Sequence, residues 1–389
     1  MDGRCPRPRR AVNPPARPPD HNAAATFGHP LLTAHAPDPA PADATAWFLF
    51  VGSTDVASFV PGLELAESFY TEVIGPRLVG LTHSAALIGT GSEVLGYDDV
   101  RSTDHGWGPR LQVFVRKPDV EAARVALHGP LIGSDRVPLR TQVDVWTISG
   151  WAESRLAVDP RPGLSWFDWL ALPQQLLLEA TAGRVFHDGL RELDPLRASL
   201  AWYPHDLWLW LLAAQWARIG QEEAFVGRAA EVGDDLGSRV VTARVVRDLM
   251  GLCFLHEKVY APYSKWLGSA FARLEAAAEV TPALTAALAA ATYADRETAL
   301  VAAYEAVANR HNRLEITAHV EPKARLFHER PFRVIGAERF AAVCLDAIGD
   351  DALRHLPLVG SVDQWVDSTE VLSRPERVRV VAETYGRLR

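Results

Sequence analysis

The chain has 389 residues, 48% of them hydrophobic and 23% charged, with a formal net charge of −8. This is the balance of a soluble globular protein with room for about two domains, and it excludes fibrous and fully disordered classes. Cys5, Cys253 and Cys344 are too few and too scattered for a disulfide framework or a cysteine zinc site, which points to a reducing, cytoplasmic compartment.

Residues 1–44 hold ten of the 27 prolines and five arginines, with almost no apolar periodicity. Such a stretch buries too little apolar surface to offset its ordering entropy, and it reads as a disordered tail without a signal-peptide core. Residues 45–160 read as a small mixed-sheet domain. Residues 63–78 carry apolar side chains at helical spacing (Leu65, Phe69, Val73, Ile74), and 85–88 form a short apolar run closed by Gly89. Residues 110–115 and 142–147 read as two more strands, with a helix opened by Pro118-Asp119 between them.

Beyond Pro160 long apolar-periodic stretches follow with almost no strand signal, so 161–389 reads as a helical domain and the whole chain as α+β. The expected helices cover 173–181, 206–220, 221–231, 236–258, 262–276, 281–292 and 296–311, with Gly220, Gly233 and Pro262 as punctuation. The most apolar run, 207–219, is broken by Gln215 and Arg218 and is too short to span a bilayer, so no membrane partner is expected. The net negative charge argues against bulk nucleic-acid binding. Trp202, Trp208, Trp210 and Trp216 read as core, and His256 and His311 lack metal-ligand spacing.

Chemistry concentrates in 87–107. A strand runs into Gly89-Thr90-Gly91-Ser92, and acidic residues follow before the next strand. A Gly-Ser turn at a strand end lets backbone N–H groups and a hydroxyl approach a phosphate closely, although such pairs also mark ordinary turns. Carboxylates at the mouth of the neighbouring strand are suited to holding magnesium on the same phosphates. Asp98-Asp99 reads first as solvated turn chemistry, with Asp98, Asp99 and Glu93 as reserve ligands.

This pattern resembles the nucleotidyltransferase superfamily that includes DNA polymerase beta, the aminoglycoside nucleotidyltransferases and the minimal nucleotidyltransferases. Its motif is an apolar residue, Gly and Ser, then about ten residues to an Asp, an apolar residue and a second acid, with a third acid on a later strand. Gly91-Ser92 matches the first part, Asp104 follows after eleven intervening residues, and Asp144 between Val143 and Val145 matches the third acid. Residues 59–370, from Phe59-Val60-Pro61-Gly62 through Tyr263-Ser264-Lys265-Trp266, further resemble an uncharacterised bacterial family of nucleotidyltransferase-like proteins, a domain of unknown function. The resemblance implies a nucleotidyltransferase-like domain over 45–160, with Gly91 and Ser92 cradling the phosphates of a nucleoside triphosphate, ATP being the expected one. Asp104 and Asp144 would be the catalytic and Mg2+-binding acids. Gly106 stands where the superfamily has its second acid, which leaves catalysis open.

Lys265 is one of only four lysines in an arginine-rich chain and is expected in the first turn of a helix, where a cation is unfavourable unless it serves an anion. It is assigned to the triphosphate, or else to a surface pair with Glu257. Three functional readings follow: transfer of a nucleoside monophosphate to a small-molecule, RNA or protein acceptor, a catalytically impaired nucleotide-binding or regulatory relative, or a helical interaction module.

Overall fold

The computed structural model describes residues 59–104, 108–129 and 142–386, with the side chains of residues 103 and 104 excepted. The proposed tail at 1–44 and the missing acid at Gly106 lie outside the described residues. The fold is α+β: a four-stranded mixed sheet followed by a predominantly helical region.

Helix α1 (Gly62–Phe69) continues through a π-helical turn at Tyr70–Ile74, as the 63–78 periodicity predicts. Strands β1 (Ser84–Leu87), β2 (Arg110–Phe114) and β3 (Gln142–Trp146) fall where alternating or short apolar runs place them. Helix α2 (Val120–Ala126) carries the chain from β2 to β3, which pair in parallel, while β1 and β2 are antiparallel. A fourth strand, β4 (Arg184–Asp188), pairs antiparallel with β1 and gives the order β3-β2-β1-β4. It lies inside the stretch expected to be helical, so the sheet is completed from beyond residue 160. Five residues with a charge at each end give no strand pattern of their own, and pairing with β1 decides the conformation.

Both faces of the sheet are covered, which is why β1 is buried along its whole length, with three small residues before Leu87. Leu111, Val113, Val143 and Val145 point to α1, its π-helical turn and α2. The register partners Ala86, Gln112 and Asp144 share the opposite face with Phe114 and Trp146, and there the sheet meets the helical region through helix α3 (Ile148–Leu156) and Trp151.

The helical region is built from α4 (Trp166–Ala171), α5 (Gln174–Thr181), α6 (Leu193–Ser199), α7 (His205–Glu231) and α8 (Asp235–His256), then α9 (Leu267–Phe271), α10 (Ala276–Ala289), α11 (Tyr293–Arg313), α12 (Glu338–Asp346) and α13 (Pro375–Gly386). Gly220 does not interrupt α7. The apolar stripes on both sides of it are buried, and that outweighs the roughly 1 kcal/mol helix penalty of one glycine. Residues 259–263 are not helical, contrary to the 262–276 expectation, because the N–H groups of Ala261 and Tyr263 donate to the side chains of Gln174 and Gln175. Trp208, Trp210 and Trp216 are core residues, as expected.

Candidate functional site

The turn after β1 opens into a cleft between the sheet and the helical region, a cavity of about 670 Å3. Thr90, Gly91, Ser92, Glu93 and Arg110 line it from the sheet, Arg155 from α3, and Gln175 and Glu179 from α5. Tyr263, Lys265 and Trp266 close one side, and Arg374 and Glu376 at the start of α13 close another. Gly91, Ser92 and Lys265, selected from distant parts of the sequence, therefore meet around one space.

Local packing holds each wall. Gly89 N donates to Glu179 O at 2.8 Å and Gly183 N to Val94 O at 3.0 Å, fixing both ends of the turn segment. Gly91 has φ of 138°, and a Cβ there would lie 2.1 Å from Arg110 Nη2, so only glycine admits the guanidinium this close to the turn. Arg110 donates to Glu93 Oε1 at 2.5 Å and to the carbonyl of Thr90. The N–H groups of Thr90, Gly91 and Ser92 make no hydrogen bond to any described residue. Successive unengaged N–H groups at a small-residue turn form an anion-binding concavity.

On the far wall, Gln175 ties two elements together: its Oε1 accepts from Tyr263 N at 3.0 Å and its Nε2 donates to Glu179 Oε1 at 2.7 Å. Burial raises the Glu179 carboxyl above its ordinary range, against the opposing pull of Gln175, Arg155 and Arg110. Tyr97 stacks on Trp266 with ring centroids 4.7 Å apart and planes 7° from parallel. Arg273 lies over the other ring partner, 4.0 Å from the Tyr97 centroid, and donates to the carbonyls of Leu95 and Gly96. The turn and the Lys265 segment are thus clamped to each other.

Lys265 precedes α9 and does not sit in its first turn, so the helix-dipole argument for it fails. Its Nζ lies 4.6 Å from the Trp266 ring centroid. Glu257, the alternative partner, is occupied by the N–H groups of Glu275 and Ala276 and by Arg310. Among the described residues neither Lys265 nor Arg155 has a carboxylate within ion-pair distance, and Arg155 Nε is buried without a hydrogen bond.

Asp144 does not join this constellation. It shares a sheet face with Arg110 and Gln112, but it does not line the cavity, and its carboxylate accepts from Gln142 Nε2 at 3.2 Å. Asp104 ends a short 3-10 turn at Val100–Asp104, six residues before β2 begins, and its side chain lies outside the described residues. The reserve acids are engaged: Asp98 accepts from Gly62 N at 2.7 Å, Asp99 closes a turn on Arg101 and Ser102, and Glu93 pairs with Arg110. Among the described residues no three His, Cys, Asp or Glu side chains are grouped to hold a metal, and the Asp104 carboxylate lies outside them.

Arg110, Arg155 and Glu179 are the lining residues that sequence reasoning passed over. Arg110 and Gln112 alternate with apolar residues in β2, a polar face that was visible in the sequence. Arg155 and Glu179 carry no such signal.

Comparison with known proteins gives a family match over part of the chain. Residues 169–267 match the family described as "Domain of unknown function (DUF4037)". This agrees with the sequence resemblance to a domain of unknown function. A solved structure, a nucleotidyltransferase-like protein from Exiguobacterium sibiricum 255-15, is similar at 12% identity over 69% of this chain and 83% of that chain, with a TM-score of 0.32. No curated protein matches. Among the described residues no helix is long and apolar enough to cross a membrane.

Proposed function

We propose that the cleft binds a nucleoside triphosphate, its phosphates at the Thr90-Gly91-Ser92 turn and its base toward Tyr263 and Trp266. The observation that carries this reading is the convergence of Gly91, Ser92 and Lys265 on one cavity, where Arg155 adds a cation whose Nε has no hydrogen bond. Unengaged N–H groups, two cations without an ion pair among the described residues and a polar floor suit a polyanion, and the aromatic wall suits a planar base. Nucleotide binding is favoured over transfer, because Gly106 stands where the resemblance calls for a second acid. A second reading, transfer to an acceptor hydroxyl, draws support from Glu179, a buried carboxyl of raised pKa at the cavity edge, the usual setting of a proton-accepting group.

Titration calorimetry with ATP, GTP, CTP and UTP tests the binding reading. Stoichiometric heat with at least one nucleotide is expected, and silence with all four refutes it. Incubation with α-labelled triphosphate and chromatography of the products then separates binding from transfer.

A further inference from the structure

We infer that triphosphate binding in this cleft draws one proton onto the Glu179 carboxylate, so that affinity depends on pH through this one group. The inference rests on the triphosphate reading above and concerns the buried carboxylate which that ligand has to meet.

Helix α5 brings Glu179 to the site twice. Its carbonyl accepts from Gly89 N at 2.8 Å, at the root of the Thr90-Gly91-Ser92 turn, and its side chain lines the same cavity with the residue only 7% exposed. A phosphate chain at that turn therefore enters a space that already holds a carboxylate with little water to screen it. Glu179 Oε1 is committed, accepting from Gln175 Nε2 at 2.7 Å, so Oε2 is the atom that takes the proton.

The groups that face this carboxylate set its charge. Burial raises the Glu179 carboxyl above its ordinary range, and Gln175 on the same helix, Arg155 on α3 and Arg110 on β2 pull it back. Tyr263, before α9, also faces it: burial and the Glu179 charge both raise the Tyr263 hydroxyl. Farther round the cavity stand Glu93, paired with Arg110 at 2.5 Å, and Lys265, Arg374 and Glu376. Glu179 is thus balanced between desolvation, which favours the acid, and two guanidinium groups, which favour the carboxylate. A polyphosphate tips that balance. It adds negative charge beside the carboxylate, and it competes for Arg155 and Arg110, the cations that favour the ionised form.

The proton comes from solvent, and no bond of the ligand is broken. Because the group binds its proton more tightly in the complex than in the free protein, affinity rises as pH falls through the interval between the two pKa values. Below that interval it levels off. A protonated Glu179 cannot accept a hydroxyl proton, so the uptake favours binding over transfer.

The test is calorimetric titration of the full chain with ATP, GTP, CTP and UTP at about pH 6, about pH 7 and about pH 8, each in two buffers of different ionisation enthalpy. The parent is compared with Glu179→Gln, which keeps an acceptor for Gln175 and cannot take up the proton; thermal melting shows whether it is folded. The nucleotide's own titration is common to both proteins and cancels in the difference. With any nucleotide that binds, the parent is expected to take up more protons than the variant at the middle pH. The variant should bind about fivefold more tightly than the parent at the highest pH and within about twofold of it at the lowest. Infrared difference spectra of the parent, which need no variant, should show a protonated-carboxyl band growing in as nucleotide is added at the middle pH. Equal proton uptake by the two proteins overturns the inference and leaves the triphosphate reading standing. So does binding by the variant that is unchanged or weaker at the highest pH, or a parent spectrum without the carboxyl band. Silence with all four nucleotides overturns the triphosphate reading and this inference with it.

Discussion

The cleft and the interior of the helical region contain the same kinds of charged side chain and treat them in opposite ways. In the interior several charges, among the described residues, find partners within the protein. Asp248 accepts from Arg218 at 2.7 Å and from Gln215, Arg296 donates to Ser238 and Asp235, and Glu223 collects the N–H groups of Ile335, Gly336 and Ala337. A second cavity, of about 290 Å3, is lined by three arginines, yet each has an acid: Arg218 has Asp248, Arg244 has Glu222 and Arg247 has Asp367. In the cleft at Gly91 the cations on α3 and before α9 form no ion pair among the described residues, although Arg155 acts on the Glu179 carboxyl. The number of charges in a cavity thus says less than how many the protein has already neutralised. Charges balanced from within are part of the architecture, and charges left open are addressed to something outside it.

The strongest way to break this comparison is Asp248→Ala. It strands Arg218 and Gln215, and it should cost about 3 kcal/mol in urea unfolding while leaving nucleotide affinity within about twofold. A large loss of affinity would mean that the interior is not separate from the cleft. The double variant Arg155→Met/Lys265→Met should do the reverse, weakening ATP about a hundredfold, or about 2.7 kcal/mol, with the melting temperature little changed.

Glu223→Gln sharpens the interior side through pH. Burial lifts the Glu223 carboxyl to about 7, against the pull of its three N–H donors. The folded value therefore lies above the unfolded one of about 4.3, so this group's contribution to stability is complete below the unfolded value and is lost as pH rises through 7. The stability advantage of the parent over the variant should shrink by about 2 kcal/mol between pH 5 and pH 8, read from urea midpoints. A flat difference would show that the N–H donors hold the carboxylate ionised throughout. Smallest is Arg273→Ala, which removes a cation–π contact and two carbonyl bonds from the clamp on Tyr97. A loss of about 1 kcal/mol in ATP affinity is expected, with no change in stoichiometry.

Much of the fold was legible in the sequence, because short apolar or alternating runs mark β1, β2 and β3 and the long helices bury periodic apolar stripes. What was illegible depends on partners far along the chain. Strand β4 is a strand because β1 needs a neighbour, and the extended path at 259–263 exists because Gln174 and Gln175 take its N–H groups. In the site, Gly91 and Ser92 were readable from local turn chemistry. Lys265 was found for a reason the structure does not support, since α9 begins two residues later. Arg155 and Glu179 could not be found, because α3 and α5 show nothing in sequence that tells which of their polar residues faces a cleft.

The position of β4 has a consequence for how the chain can be divided. Strand β1 is an interior strand only when residues 184–188 lie beside it. A polypeptide stopped near residue 160 would leave the backbone of β1 exposed along one side, a short and mostly apolar rim able to recruit the same rim of another molecule. Recombinant fragments meant to isolate the sheet are expected to self-associate unless they extend past Asp188. On the ribosome, likewise, the sheet stays unfinished until α3, α4 and α5 have already been made.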